Sequence, residues 1–546
     1  MAWDAAGDGP DDFDAVIVGA GFAGLYMLHR LRGLGLKARV FEAGDGVGGT
    51  WYWNRYPGAR CDIESLEYSY QFSDQLQQDW DWSERYASQP EILRYLNHVA
   101  DLFDLRRDIE LSTRVLSAQF DEAGGRWRIR LEGAREVSAR WCVMATGCLS
   151  SPNMPDFPGL ERFKGATYHT GRWPHEGVDF SGKRVAVIGT GSSAIQSIPL
   201  IAAQAERLYV FQRTANYAVP ARNGPLDPEL QRKAKADYPA LRALAKTQFG
   251  AALFDENAGS ALEASPQERA AVYDQRWARG GLAFLGAFGD LAVSQQANDT
   301  AAEYVRAKIA GIVKDPAAAA LLSPTQVFGC KRLCVDSGYF ETFNRPNVTL
   351  VDARAAPIEE ITPTGLRTTR SAYDVDCLVF ATGFDAITGS LSRIDIRGRG
   401  GRTLKEAWAA GPRTYLGLMS AGFPNLFMIS GPGSPSVFSS MVVSIEQHVD
   451  FVADCLAHLR ERGLGLVEAS QEAQDAWVDH VNEVAGGTLY PQCNSWYLGA
   501  NVPGKPRVFM PYVAGFPPYV AKCGEVVANG YQGFVLSPAP AQRQPA

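Results

Sequence analysis

An apolar run that opens onto closely spaced glycines occurs twice in this sequence, and a chain built this way is constrained to fold around two parallel nucleotide-binding sheets. In the first unit, DAVIVG at residues 14–19 leads into Gly19, Gly21 and Gly24, an apolar helix pattern continues to about Gly35, and the strand ARVFE ends at Glu42. In the second, KRVAVIG, starting at Lys183, leads into Gly189, Gly191 and Ala194, and the strand RLYVFQR ends at Arg213. A lone G-x-G-x-x-G is often only a tight turn. Between a strand and a helix it is a dinucleotide fingerprint: one glycine for the turn, one for backbone approach to the pyrophosphate, one for close helix–strand packing. The helix N-terminus then faces the anion. The fold class is therefore α/β, with two Rossmann-type domains.

The two units differ where a nucleotide's ribose would sit. Glu42 stands 23 residues after Gly19, placed to accept hydrogen bonds from a ribose. Counted the same way from Gly189, the second unit has Gln212, followed by Arg213. An acid there would repel a 2′-phosphate, whereas a guanidinium pairs with one through charge-assisted bonds, so NADPH is expected over NADH. Gly48 and Gly49 follow Glu42 closely, an extension that resembles the FAD-binding pattern of two-dinucleotide flavoproteins and favours FAD at the first site.

At 546 residues the chain exceeds one ordinary core, and two or three domains are expected. A formal charge of −7 offers no basic field for nucleic acid or anionic lipid. The acidic start lacks a secretory leader pattern and no apolar run is long enough to span a bilayer, which points to a cytoplasmic protein. Nine scattered cysteines without a CxxC or zinc spacing read as reduced thiols, mostly core filler, with no metal site; neither Cys330 with Cys334 nor Cys142 with Cys148 is given a redox role. From about Leu226 to Ser323 the composition turns rich in Ala, Glu, Gln and basic residues, which predicts a helical insertion. The Pro/Ala/Gln end is expected to be a disordered tail.

Two dinucleotide units would suit several flavoenzymes. The segment before the second unit decides among them: Phe163, Gly165, His169, Trp173 and Pro174 are spaced F-x-G-x-x-x-H-x-x-x-W-P, which resembles the signature of type I Baeyer–Villiger monooxygenases. The resemblance runs from about Ala15 to Leu536 and includes GGTWYWNRYPGARCD, KRLCVDSGYFETFNRPNV, GPGSPS and SWYLGANVPGKPR. It implies a discontinuous layout: an FAD domain in 1–150 and 385–536, an NADP domain in 151–225 and 329–384 split by helices in 226–328, and a tail at 537–546. The turns VMATG (Val143–Gly147) and VFATGFD (Val379–Asp385) resemble the points where such chains cross between nucleotide domains.

The same resemblance implies roles. Arg332 would be the fixed cation that stabilises negative charge during oxygen transfer, a task suited to a group that never loses its charge. Asp62 would position it and also contact FAD, beside Gly49, Thr50 and Trp51. Ser192, Thr214 and Lys331 would contact NADPH, with Lys331 sharing the 2′-phosphate with Arg213; Trp496 either bonds the nicotinamide nucleotide through its indole N–H or only packs. His169 would orient the linker between domains rather than move protons. Pro435, Ser436, Val437, Phe438 and Met441 would line the substrate pocket. The implied reaction draws hydride from NADPH, traps O2 on reduced FAD as a C4a-peroxide, and passes through a Criegee adduct to convert a ketone into an ester or lactone. Aryl, alicyclic or linear ketones are the expected substrates, with sulfoxidation as a side activity, in a monomer or weak homo-oligomer. A flavin N- or S-monooxygenase is the alternative; Trp173, Pro174 and Arg332 speak against it. A disulfide reductase lacks its CxxC here, and a non-catalytic nucleotide-binding sensor is the remaining rival.

Overall fold

The computed structural model describes residues 11–540; the extreme acidic start and residues 541–546 of the expected tail lie outside them. The strand Asp12–Val18 is buried on both faces, as its unbroken apolar run requires. It pairs in parallel with Ala38–Phe41 on one side, Ala15 opposite Ala38, and with Glu136–Met144 on the other, Val16 opposite Cys142. An antiparallel pair, Val115–Asp121 and Arg126–Leu131, extends this sheet. Two late strands return to it: Leu426–Met428 pairs with Glu136–Met144, and Asp395–Arg397 pairs with Val115–Asp121.

The second sheet is wholly parallel, in the order Val348–Asp352, Arg207–Gln212, Arg184–Ile188, Cys377–Phe380 and Ala166–His169. Its edge strand, Ala166–His169, carries part of the F-x-G-x-x-x-H-x-x-x-W-P segment. Between its early and late strands lie the helices Pro228–Ala236, Tyr238–Thr247, Pro266–Arg279, Gln295–Ile312 and Pro316–Leu322. Their starts follow from local chemistry. Four of the five have proline in the first turn, where no amide partner is lost, and Ser265 with Glu268 closes a capping box on the third. The fold is thus the expected pair of Rossmann-type sheets with a helical insertion in the second.

Each glycine loop rests on a matching turn. Gly19 has φ +106° and an added Cβ would lie 2.7 Å from the Ala145 carbonyl oxygen; Gly189 has φ +111° and its Cβ would lie 2.4 Å from that of Ala381. Both alanines open an Ala-Thr-Gly sequence, so the two expected crossing turns form the floors of the two loops. One packed core extends across both sheets, from Ile17 and Val143 to Val187 and Val379. No helix among the described residues is long and apolar enough to cross a membrane. At the C-terminus, the strand Phe534–Ser537 pairs with Leu466–Ala469, so order reaches the first residue of the predicted tail.

Candidate active site

A cavity of about 2130 Å³ runs between the two glycine loops and is lined by both. It exceeds the roughly 300–1,000 Å³ that holds one drug-sized ligand, so it has room for more than one molecule. At its first end, an added Cβ on Gly49 would lie 2.8 Å from the Gly21 Cα, so the loop after Glu42 closes directly over the glycine turn. Glu42 is buried and accepts the amides of Ala20 and Gly44, each at 2.8 Å. Burial raises its pKa, and these backbone donors oppose the shift. The carboxylate also lines the cavity, with acceptor capacity beyond these two bonds. Thr50 and Trp51 also line this end, and the Trp51 indole N–H is taken up by the Tyr68 hydroxyl at 3.1 Å.

At the second end, Gly191 caps the helix Ser192–Gln204, and Ser192, Arg213, Thr214 and Lys331 line the cavity. The Ser192 hydroxyl lies 3.3 Å from the Cys334 sulfur. Gln212 points inward, donating to the Leu321 carbonyl at 2.7 Å. Burial lowers the Lys331 pKa and the nearby positive charge of Arg213 lowers it further. Neither cation forms an ion pair among the described residues, so two neighbouring positive charges line the cavity without an acid between them.

Arg332 sits where these ends meet. Its Nε donates to Asp62 Oδ2 at 2.6 Å, Nη2 to Oδ1 at 2.9 Å, and Nη1 to the Val437 carbonyl at 2.6 Å. Burial alone would lower its pKa, but the charge and hydrogen bonds of Asp62 override this and raise it, so the guanidinium stays charged. The fork onto Asp62 fixes its plane, and three bonds leave two of its five N–H groups for a ligand. Residues 270 positions apart thereby join three loops at one point.

The F-x-G-x-x-x-H-x-x-x-W-P side chains do not line this cavity. At Gly165 an added Cβ would meet the Asp376 carbonyl at 2.3 Å, and Trp173 is buried against Tyr168 and Phe180. Phe163 packs on the second sheet's far-side cluster, and Pro174 lines a separate groove beside Arg55 and Pro90. His169 Nδ1 accepts the Gly171 amide at 2.9 Å and Nε2 lies 3.3 Å from the Thr382 hydroxyl, which in turn donates to the Asn153 carbonyl. Burial pushes its pKa down to about 4. A neutral imidazole thus ties the turn at Gly171 to the turn at Thr382 and, through Thr382, to Asn153.

Two expectations need correcting. Of the five residues assigned to the substrate pocket, Val437 and Met441 line the cavity, whereas Pro435, Ser436 and Phe438 do not. Ser436 is buried beside Cys148, and the Phe438 ring packs on Tyr490 and Tyr497 at 4.9 and 4.8 Å. The cysteines are not all thiols: Cys330 and Cys493 are joined by a disulfide, leaving seven free, all buried. Trp496 lines the cavity and packs on Tyr497 at 4.3 Å. Sequence reading missed Tyr497, buried beside Arg332, and the Tyr56–Gln196 bond of 2.8 Å that joins the first glycine extension to the second site's helix. The adjacency of Tyr497 to Trp496 was the available signal for the first; nothing local marks the second.

Two dinucleotide loops facing a shared cavity define a flavoprotein-type pyridine-nucleotide oxidoreductase, and residues 16–230 match the family model described as pyridine nucleotide-disulphide oxidoreductase. A Baeyer–Villiger monooxygenase of Pseudooceanicola batsensis is 45% identical, with 96% of each chain covered. The phenazine N-monooxygenase of Lysobacter antibioticus is 41% identical over 97% of this chain and 98% of that protein. Among solved structures, an oxidised steroid monooxygenase bound to NADP superimposes with a TM-score of 0.92 at 55% identity, covering 96% of this chain and 99% of that one. A monooxygenase named OTEMO, in complex with FAD and NADP, gives 0.94 at 39% identity, covering 98% and 100%. The chain belongs to the Baeyer–Villiger monooxygenase family.

Proposed function

We propose that this protein inserts one oxygen atom of O2 beside a ketone carbonyl, giving an ester or lactone, with FAD at the first nucleotide site and NADPH at the second. The observation that carries this reading is the Asp62-anchored guanidinium of Arg332 at the junction of the two sites. Bound FAD supplies the oxygen-activating chemistry and NADPH the reducing equivalents. The protein's part is binding and electrostatics. Gly19, Gly21, Gly49 and Glu42 hold the first dinucleotide, Thr50 and Trp51 border it, and Gly189, Gly191, Ser192 and Thr214 cradle the pyrophosphate and ribose of the second. Arg213 and Lys331 take its 2′-phosphate, and Trp496 offers its indole N–H. Arg332 directs its two unused N–H groups at the negative charge that develops as oxygen adds to the carbonyl, as a donor pair already in place before that charge appears. Asp62 holds the guanidinium plane. Nothing in this assignment asks a side chain to lose the proton it carries at neutral pH.

Apolar walls from Val437, Met441, Ile445 and Ile63 favour neutral aryl, alicyclic or linear ketones over charged ones. A nucleophilic and an electrophilic oxygen can arise from one flavin site, so sulfoxidation is expected as a side reaction. N-oxygenation is the second reading, favoured by the phenazine N-monooxygenase relative. We assign residues 1–150 and 385–536 to the FAD domain and 151–225 and 329–384 to the NADP domain, with 226–328 as the insertion. We also assign a cytoplasmic, monomeric or weakly associating state; seven buried free thiols accord with a reducing compartment, and the Cys330–Cys493 disulfide is the exception to it. The test is ketone-dependent NADPH oxidation under air with product identification, using a probe that carries both a ketone and a ring nitrogen. Ester formation is expected. N-oxide as the main product would replace the reading with its rival, and NADPH use that yields only hydrogen peroxide would remove both.

A further inference from the structure

The Cys330–Cys493 disulfide joins two segments of the same cavity wall. Cys330 immediately precedes Lys331 and Arg332; Cys493 lies three residues before Trp496 and itself lines the cavity. Both cysteines are buried, and 163 residues separate them in sequence. The segment 487–515 has little regular structure of its own, only the single turns Tyr490–Gln492 and Trp496–Leu498 before the helix Phe516–Ala528 begins. Its polar ties lead elsewhere. Asn153 donates to the Asn501 carbonyl at 3.0 Å, Asn501 to that of Phe384 at 2.7 Å, and Lys505 pairs with Asp385 at 2.6 Å, all toward the chain crossings. Among the described residues, no hydrogen bond or ion pair joins 487–511 to 327–334. The one direct bond between them is the covalent one.

We propose that Cys330 and Cys493 are positioning residues for the nicotinamide-nucleotide site: their bond fixes the Trp496 loop against the loop of Lys331 and Arg332, and a dithiol releases it. The inference rests on the assignment of NADPH to the second site. A loop fixed before the nucleotide arrives loses less freedom on binding, so the effect falls on affinity rather than on the oxygenation step. Release is a two-electron exchange: the attacking dithiol closes to its own cyclic disulfide, and Cys330 and Cys493 each leave as a thiol. In a compartment whose thiol pool reduces this bond, nucleotide affinity would follow the redox state.

The test uses the flavin-loaded protein purified without reductant, before and after dithiothreitol, beside the Cys330→Ser/Cys493→Ser double variant and the single Cys493→Ser variant. Denatured protein is expected to show seven titratable thiols before reduction and nine after. Without NADPH present, amide exchange of residues 493–501 should accelerate on reduction. The KM for NADPH should rise about tenfold, the loss expected when roughly one ordered contact must be formed on binding, while kcat changes less than about twofold. Both variants should behave like reduced wild type and ignore dithiothreitol. Nine thiols before reduction, or exchange and KM unchanged by it, would overturn the proposal. If the protein fails to bind NADPH in either state, the assignment of the second site falls, and the exchange measurement still decides whether the bond holds the loop.

Discussion

The two nucleotide units share a plan and differ in tightness. In the first, an added Cβ at Gly24 would lie 1.8 Å from the Gly19 carbonyl oxygen, Gly21 touches Gly49, and the ribose acid Glu42 is buried. In the second, the position matching Gly24 is Ala194, whose methyl fits without exposure; a Cβ at Gly191 would meet nothing nearer than 3.9 Å; and Arg213 and Thr214 are exposed. The first loop is closed over by its own extension, and the second is open to the cavity. A closed cradle suits a cofactor that stays, an open one suits a nucleotide that must arrive and leave each cycle. If the first site holds FAD and the second NADPH, as proposed, the same fingerprint sets residence or exchange through what packs on the glycines, not through the glycines themselves.

The sharpest way to break this comparison is to exchange the packing residue. Gly24→Ala places a methyl on backbone that cannot move aside, and overpacking of this kind costs about 1–3 kcal/mol or more, so flavin retention should fall at least about fivefold and the purified protein should be pale. Ala194→Gly removes a tolerated methyl and should leave the KM for NADPH within a few-fold. Flavin-to-protein absorbance ratios and NADPH titrations check both. Equal sensitivity of the two sites would mean that the difference in packing has no functional meaning.

Arg332 belongs to neither unit alone, so its removal should separate their functions. Arg332→Ala is expected to cut ester formation on the order of 10²–10³-fold while the rate of flavin reduction by NADPH changes only a few-fold. Stopped-flow reduction and product assays separate the two; ester formation at near wild-type rate would assign the charge stabilisation elsewhere. Arg213→Ala tests the open unit only. Loss of a charged hydrogen bond, worth about 1.5–3 kcal/mol, should lower kcat/KM for NADPH about 10–100-fold and leave NADH nearly unaffected. A parallel drop for both coenzymes would place Arg213 outside the 2′-phosphate site.

Much of this was legible because its determinants are local. Glycine spacing, flanking strands and the contrast between Glu42 and Arg213 are all readable within about 25 residues, and both sheets form where they require. The Arg332–Asp62 pair was anticipated only through family resemblance, since no spacing rule links residues 270 apart. The disulfide was illegible for the same reason, and closeness along the chain is no guide to it: Cys334 lies four residues from Cys330, yet its sulfur faces Ser192. The loop at 431–441 shows a different limit. It makes a single tight turn over Ser436–Phe438, so neighbours point to opposite sides, and composition cannot say that Val437 faces the cavity while Phe438 faces Tyr490.

The smallest expected effect concerns the floors beneath the glycine loops, where the two units are latched by different chemistry. Thr146, in the first, lies 3.1 Å from the Ser390 hydroxyl, a group that does not titrate. Thr382, in the second, lies 3.3 Å from His169 Nε2, whose pKa burial pushes down to about 4. An unfolded histidine titrates near 6.5, so between that value and 4 the unfolded chain binds a proton that the folded one refuses. The histidine's contribution to stability is therefore complete above pH 6.5 and is lost as pH falls toward 4, with a slope of up to about 1.4 kcal/mol per pH unit. His448, buried and pushed down to about 3, adds a slope of the same sign, so the informative quantity is the difference between wild type and His169→Gln. Denaturant unfolding of both proteins at pH 7.5, 6, 5 and 4.5 should show a flatter decline for the variant. Parallel curves would mean that the imidazole is not held neutral, and the contrast between a titrating latch and a silent one would disappear.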